Sequence, residues 1–300
     1  MSRELELTEV APLPGGESLT AVGLERLIGP FRRGAVPEAA EEMGFYTDTS
    51  VCIGCKACEV ACKQWNQLPA DGFTFSGNSY DNTGALSAES WRHVKFVEQF
   101  SVWEAGGGQG GAMPGRWLMM SDVCKHCVEA PCQHACPTGA IIHNEFNNVY
   151  IQPDICNGCA YCIAACPFGV ITRSTLDNHA HKCTLCYDRQ KDGLVPACAK
   201  ACPTASIQFG PLEELRVRAR TRVEELHRRG VADAWLYGHE PTEGYSRLNA
   251  FYLLLDKASV YGLPAAPRNP WLTMRGDYLR AVLSVLPPLA VLITALLRGR

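Results

Sequence analysis

Sixteen cysteines constrain this chain of 300 residues more than any other feature, because all of them fall into four groups of four. The first group is Cys52, Cys55, Cys58 and Cys62, spaced C-x2-C-x2-C-x3-C. The second is Cys124, Cys127, Cys132 and Cys136, with Pro137 following. The third is Cys156, Cys159, Cys162 and Cys166, again in C-x2-C-x2-C-x3-C spacing and followed by Pro167. The fourth is Cys183, Cys186, Cys198 and Cys202, followed by Pro203. No cysteine is left over.

A disulfide framework is the first reading to exclude. Dense disulfides belong to small secreted domains that cannot build a core, and this chain is long enough to build one. Residues 1–42 are acidic and lack a basic stretch followed by an apolar run, so no secretory signal is read there. The net charge of −3 gives no basic stripe for nucleic acid. Soft thiolates suit zinc and iron–sulfur clusters alike. A lone CxxC pair would be ambiguous, and a zinc-stabilised scaffold that moves no electrons is the competing class. The repeated three-plus-one spacing with a trailing proline instead matches bacterial ferredoxin, where the fourth cysteine ligates a different cluster. Groups must therefore work in pairs. Four groups make two modules and four 4Fe–4S clusters, although spacing does not say which groups pair.

The segments between groups repeat as well. Turns at Thr138-Gly139-Ala140, Phe168-Gly169 and Thr204-Ala205-Ser206 lead into short apolar runs, and Asn148-Val149-Tyr150-Ile151 reads as a strand entering the third group. The expected fold is α+β: two interleaved bacterial ferredoxin-like modules plus a C-terminal transmembrane helix.

Cys52-Ile53-Gly54-Cys55-Lys56-Ala57-Cys58 and Cys156-Asn157-Gly158-Cys159-Ala160-Tyr161-Cys162 resemble the iron–sulfur (beta) subunits of the molybdopterin oxidoreductases over residues 45–210. Leu236-Tyr237-Gly238, Phe251–Asp256, Val260–Pro264 and Ala197–Thr204 look like the membrane-bound formate dehydrogenase branch. The resemblance implies that group one pairs with group four, and group two with group three. Cys52, Cys55, Cys58 and Cys202 would hold one cluster, and Cys62, Cys183, Cys186 and Cys198 its neighbour. Cys124, Cys127, Cys132 and Cys166 would hold a third, and Cys136, Cys156, Cys159 and Cys162 a fourth. Nitrate reductase subunits replace one cysteine of group three and carry a 3Fe–4S cluster; Cys159 is present here, which implies four 4Fe–4S clusters. The chain would itself be non-catalytic. Its implied partners are a molybdenum- or tungsten-pterin alpha subunit and a cytochrome b-type gamma subunit. A sulfoxide or polysulfide reductase is the alternative setting.

Four regions are expected: an extension over 1–44, the four-cluster domain over 45–210, a helical cap and linker over 211–270, and a membrane anchor over 271–300. Residues 104–115 read as a glycine-rich loop. Leu212, Leu215, Ala219, Val223 and Leu226 recur at helical spacing after Pro211, with an arginine-rich face read as solvated. Ala281 to Leu297 is a run of 17 residues without charges, near the lower limit for a span and interrupted by Pro287-Pro288. The resemblance supports a single membrane helix there. Arg298 and Arg300 behind it favour a cytoplasmic C-terminus, with the cluster domain on the extracytoplasmic side of the cell membrane and the cytoplasmic face as the alternative. Lys56, His126, His134 and Lys182 sit beside ligands and are read as ordinary neighbours rather than as groups that tune the clusters.

Overall fold

The computed structural model describes residues 41–72, 77, 80–99, 116–242, 244–271, 276, 278 and 280–288, all within the unit Ala40–Arg300. The expected N-terminal extension, apart from its last four residues, and the glycine-rich loop at 104–115 lie outside the described residues. In chain order the elements are β1 (Met43–Asp48), α1 (Ala57–Asn66), β2 (Arg92–Gln99), β3 (Arg116–Val123), α2 (Pro131–His134), β4 (Ile141–His143), β5 (Val149–Ile151) and α3 (Tyr161–Ala165). There follow β6 (Thr172–Arg173), β7 (Ala180–His181), α4 (Tyr187–Lys191), α5 (Ala197–Lys200), β8 (Ile207–Pro211), α6 (Leu212–Arg228), β9 (Trp235–Tyr237) and β10 (Ala250–Leu254).

Each cysteine group is entered from a strand and left through one. β1, β3, β5 and β7 precede the four groups, while β4, β6 and β8 follow the second, third and fourth. β4 pairs antiparallel with β5, with Ile141 opposite Ile151, and β6 with β7. These hairpins turn each departing segment into the next group. The fourth group closes on the first over a long sequence distance, because β8 pairs antiparallel with β1 and sets Thr47 opposite Ile207.

The sheet that makes this closure has the order β8-β1-β10-β9. β10 lies parallel to β1, and all five of its residues, Ala250–Leu254, are buried. A central strand covered on both faces reads as a continuous apolar run, as Ala-Phe-Tyr-Leu-Leu does. Residues 250–254 are thus integral to the sheet that carries both ends of the cysteine domain. β2 and β3 form a separate two-stranded ribbon of eight residue pairs.

Helix α6 packs Leu212, Leu215, Ala219 and Leu226 on Tyr46, Phe251 and Leu253, at the spacing expected from sequence. Its arginine face differs from expectation. Arg216 is buried beside Glu213, and Arg222 donates from Nε to Asp48 Oδ2 at 3.0 Å and from Nη2 to Ser50 Oγ at 3.1 Å. Asp48 also caps the 3-10 turn that leads into Cys52. The long arginine side chain reaches back over the sheet, so this helix supports the entry to group one.

Among the described residues no helix is long and apolar enough to cross a membrane. Residues 280–288 are helical, with Val282, Leu283, Val285 and Leu286 exposed; 289–297 of the expected span lie outside the described residues. Emptying the α6 core contact by Leu215→Ala is expected to cost about 3 kcal/mol. Thermal melting of the full chain should show a fall of roughly 5–10 °C.

Candidate metal centres

The four CxxC segments share one backbone device. The residue just before the second cysteine is left-handed in each: Gly54, His126, Gly158 and Leu185 have φ of 65°, 43°, 71° and 55°. That conformation curls the loop so that both thiols and successive backbone N–H groups face inward, the concave arrangement that binds anionic groups. Glycine is required where the loop also packs tightly. A Cβ on Gly158 would stand 2.3 Å from the Asn178 carbonyl oxygen, and one on Gly54 would stand 2.6 Å from Met119 Sδ. At His126 and Leu185 a side chain accepts the strained backbone, a cost that accumulates at functional sites. After the fourth cysteine the prolines stop the short helices. A second left-handed residue at Gly139, Gly169 or Ala205 then turns the chain, its N–H bonded to the carbonyl of Cys136, Cys166 or Cys202.

These loops gather the sixteen cysteines, none of them in a disulfide, into four sets. Cys52, Cys55, Cys58 and Cys202 line one cavity. Cys124, Cys127, Cys132 and Cys166 line another. Cys62 is pushed well above its ordinary value by burial and then by Cys183, Cys198 and Cys186 around it. Cys162 is pushed up to about 11 by burial and by Cys156, Cys136 and Cys159. The helices that carry the partners meet accordingly: α1 packs on α5, and α2 on α3.

The sets form a series. Cys58 of the first is raised to about 12 by burial against the pull of Arg92 and feels Cys198 of the second. Cys183 of the second feels Cys124 of the third, and Cys132 of the third feels Cys162 of the fourth. At the two ends Cys55 and Cys159 are exposed, whereas Cys183, Cys186, Cys124 and Cys127 between them are buried.

Four zinc-bound sulfurs, each about 2.3 Å from the metal, would crowd within about 4 Å of one another. Among the described residues no three His, Cys, Asp or Glu side chains gather as tightly as a single ion needs. Each of the two lined cavities is a volume with four soft donors on its wall, which fits a multi-iron cluster. Donors to sulfur complete the wall. Ala180 N–H donates to Cys156 Sγ at 3.5 Å and Leu185 N–H to Cys183 Sγ at 3.2 Å. Tyr245 Oη donates to Cys127 Sγ at 2.7 Å, and burial together with Cys127 keeps that phenol protonated. Cys136 moves the other way from Cys58, Cys62 and Cys162: burial lifts it, but the Thr138 hydroxyl and backbone N–H groups outweigh burial and hold it below its ordinary value.

Three of the cations and imidazoles flagged beside the ligands in sequence have partners other than the thiols, and the ring of the fourth finds none among the described residues. Lys56 binds Asp81 at 3.0 Å and Glu59 at 3.3 Å. His134 stacks on Trp271, with ring centroids 5.1 Å apart. Lys182 donates to the carbonyls of Val149 and Cys183. His126 is wholly buried, neither ring nitrogen has a hydrogen-bond partner among the described residues, and burial and the surrounding cations hold it well below its ordinary value. Sequence reading passed over Arg92, Ser121, Lys125 and Tyr245. The signal available was parity: Arg92 shares the face of its strand with Val94, a core position. Lys125, buried between Cys124 and Cys127, pairs with Asp122, which Lys95 also holds at 2.9 Å. Burial would raise the Asp122 carboxyl, but these two lysines keep it well below the carboxylate range.

Fold and cysteine sets together define an iron–sulfur protein of the ferredoxin type. The 4Fe-4S dicluster domain family matches it twice, over residues 51–140 and 115–212. The protein belongs to the family of formate dehydrogenase iron–sulfur subunits. It is 40% identical over 251 residues to the formate dehydrogenase iron–sulfur subunit of Haemophilus influenzae, covering 81% of this chain and 76% of that one. It is 42% identical to the formate dehydrogenase-O iron–sulfur subunit of Escherichia coli, covering 76% and 72%. The B subunit of the anaerobic dimethyl sulfoxide reductase of Escherichia coli is 33% identical, over 58% of this chain and 76% of that one.

Removing one partner of a buried ion pair costs about 3–5 kcal/mol. Lys125→Met is therefore expected to lower the melting temperature by roughly 10 °C. The double variant Asp122→Asn with Lys125→Met should recover part of that loss.

Proposed function

We propose that this chain is the electron-transfer subunit of a formate dehydrogenase complex and holds four 4Fe–4S clusters. The observation that carries the reading is the unbroken series of four cysteine sets with an exposed cysteine at each end. The ligand sets are Cys52, Cys55, Cys58 and Cys202; Cys62, Cys183, Cys186 and Cys198; Cys124, Cys127, Cys132 and Cys166; and Cys136, Cys156, Cys159 and Cys162. A bound cluster supplies one-electron redox chemistry. The chain's own residues fix the order of the sets, exclude water from the middle two and leave Cys55 and Cys159 near partners. No proton or group transfer is required of any side chain here.

Formate as the electron source rests on the relatives named for formate dehydrogenases, which align over 76–81% of the chain, beyond the 58% shared with the sulfoxide reductase subunit. The partners that fit are a molybdenum- or tungsten-pterin subunit at one end and a cytochrome b-type membrane subunit at the other. An anchor at 271–300 is supported by the exposed apolar side chains of the helix at 280–288. The arginines that follow favour a cluster domain on the extracytoplasmic side of the cell membrane.

Purified from its own complex, the chain should carry about sixteen irons with matching acid-labile sulfide. In the intact complex, which includes the catalytic subunit, formate rather than a sulfoxide couple should exchange electrons with a viologen dye. Zinc without iron would sink the cluster reading, and activity with a sulfoxide alone would sink formate. Pairing has its own test. Cys202→Ser and Cys52→Ser should perturb the same electron paramagnetic resonance signal, and Cys198→Ser a different one. A shared signal for Cys202→Ser and Cys198→Ser would reject the pairing.

A further inference from the structure

Arg92 opens β2 opposite Val123 and is only 2% exposed. Its guanidinium lies between the first two cysteine sets. Nη2 donates to Cys198 Sγ at 3.3 Å. Nη1 donates to Ser121 Oγ at 3.3 Å and the Ser121 carbonyl oxygen at 3.5 Å. The Ser121 hydroxyl is itself 3.2 Å from Cys58 Sγ. The Phe45 ring covers the cation, 4.7 Å from its centroid. A hydrogen-bonded bridge thus runs from Cys58 of one set through Ser121 and Arg92 to Cys198 of the next.

Burying a cation is costly unless an anion meets it. Lys56 has Asp81 and Glu59, and Lys125 has Asp122. Among the described residues Arg92 makes no ion pair with a carboxylate; it donates to the Cys198 thiol, and the largest charge interactions on it come from Cys198, Cys58 and Cys183, all of these two sets. Its countercharge is therefore the sulfur of the clusters. A guanidinium does not deprotonate, so this charge persists at every working pH.

Resting on the cluster reading above, we infer that Arg92 is a positioning residue that raises the potentials of the first two clusters together, its charge and sulfur hydrogen bonds stabilising the form that has gained an electron. Charge and hydrogen bonds at the sulfurs are established determinants of cluster potential. Ser121 carries the effect to Cys58.

The test is a redox titration of the full-length holoprotein followed by electron paramagnetic resonance, with iron and sulfide assayed in every sample. Arg92→Gln should lower two of the four midpoints and leave two unmoved, with at least a tenfold fall in the reduced-to-oxidised ratio at fixed potential, or about 59 mV for a one-electron couple. Arg92→Lys, which keeps the charge, should restore most of that shift. Ser121→Ala should lower one midpoint only. Four unmoved midpoints in a fully loaded Arg92→Gln protein would overturn the inference and leave the cluster reading intact. If Arg92→Gln does not retain iron, Ser121→Ala decides: one lowered midpoint supports the bridge, and none overturns it. A wild-type chain without iron would overturn the cluster reading itself and this inference with it.

Discussion

A CxxC loop can wrap three thiols around one site, but a fourth cysteine four residues further on starts a new turn and faces another site. Every group is thereby left one donor short, and the missing donor must come from elsewhere in the chain. This shortage organises the molecule. Groups two and three meet through the short β4–β5 hairpin. Groups one and four are separated by most of the domain, and the β1–β8 ladder brings Cys202 to the cavity that Cys52, Cys55 and Cys58 line. The rest of the main sheet, with α6 across it, holds that ladder in place. Group one needs no proline after Cys62 because its helix continues through Asn66, where Trp65 reaches Asp188 of α4 with a hydrogen bond of 2.8 Å.

The same shortage places many sulfurs in the core, and the interior charges are arranged around them. The cations have distinct electrostatic fates. Lys56 is offset by carboxylates before it can act on sulfur. Lys125 is offset by Asp122, itself bonded by Tyr252 Oη at 3.2 Å. Lys182 is held by backbone carbonyls. Arg92 alone among these four donates to a thiol in the described residues. A uniform field of lysines would favour electron gain at every set equally. Local pairing lets neighbouring sets differ although their ligands are identical.

The four groups, the turns after their prolines and the short strands that follow are legible in the sequence, because each follows from local chain geometry around Cys, Gly and Pro; the left-handed His126 and Leu185 are not. The α6 core face is legible for the same reason, since Leu212, Leu215, Ala219 and Leu226 recur with the helix period. What the sequence does not show is long-range. The parallel pairing of β1 with β10 joins Phe45 to Ala250, and no local pattern announces a partner two hundred residues away. Arg222 looks solvated on a helical wheel because its partner Asp48 comes from β1, far away in sequence. Lys56 and Lys182 stand beside cysteines in sequence, but adjacency does not say what they meet: Lys56 pairs with Asp81 and Glu59, whereas Lys182, held by two carbonyls, acts on Cys132 of the third set. Arg92, thirty residues from any cysteine on either side, nevertheless donates to the Cys198 thiol.

Exposure along the series supplies the remaining step. Electron exchange with another protein needs a donor site close to the surface, while the interior sites need shielding from water and stray oxidants. Cys55 and Cys159 are exposed, and each stands among exposed apolar side chains: Ile53 and Val60 at one end, Ile155 and Tyr161 at the other. Isolated exposed apolar residues are ordinary on any protein. Here they coincide with the two ends of the cysteine series, where a partner would bury them and dry the path at once. The repeat that makes two modules from one plan therefore leaves an exposed cysteine among exposed apolar side chains at each end of the series. The asymmetry needed for direction has to come from groups that break the repeat, and Arg92, belonging to a strand outside all four cysteine groups, is one of them.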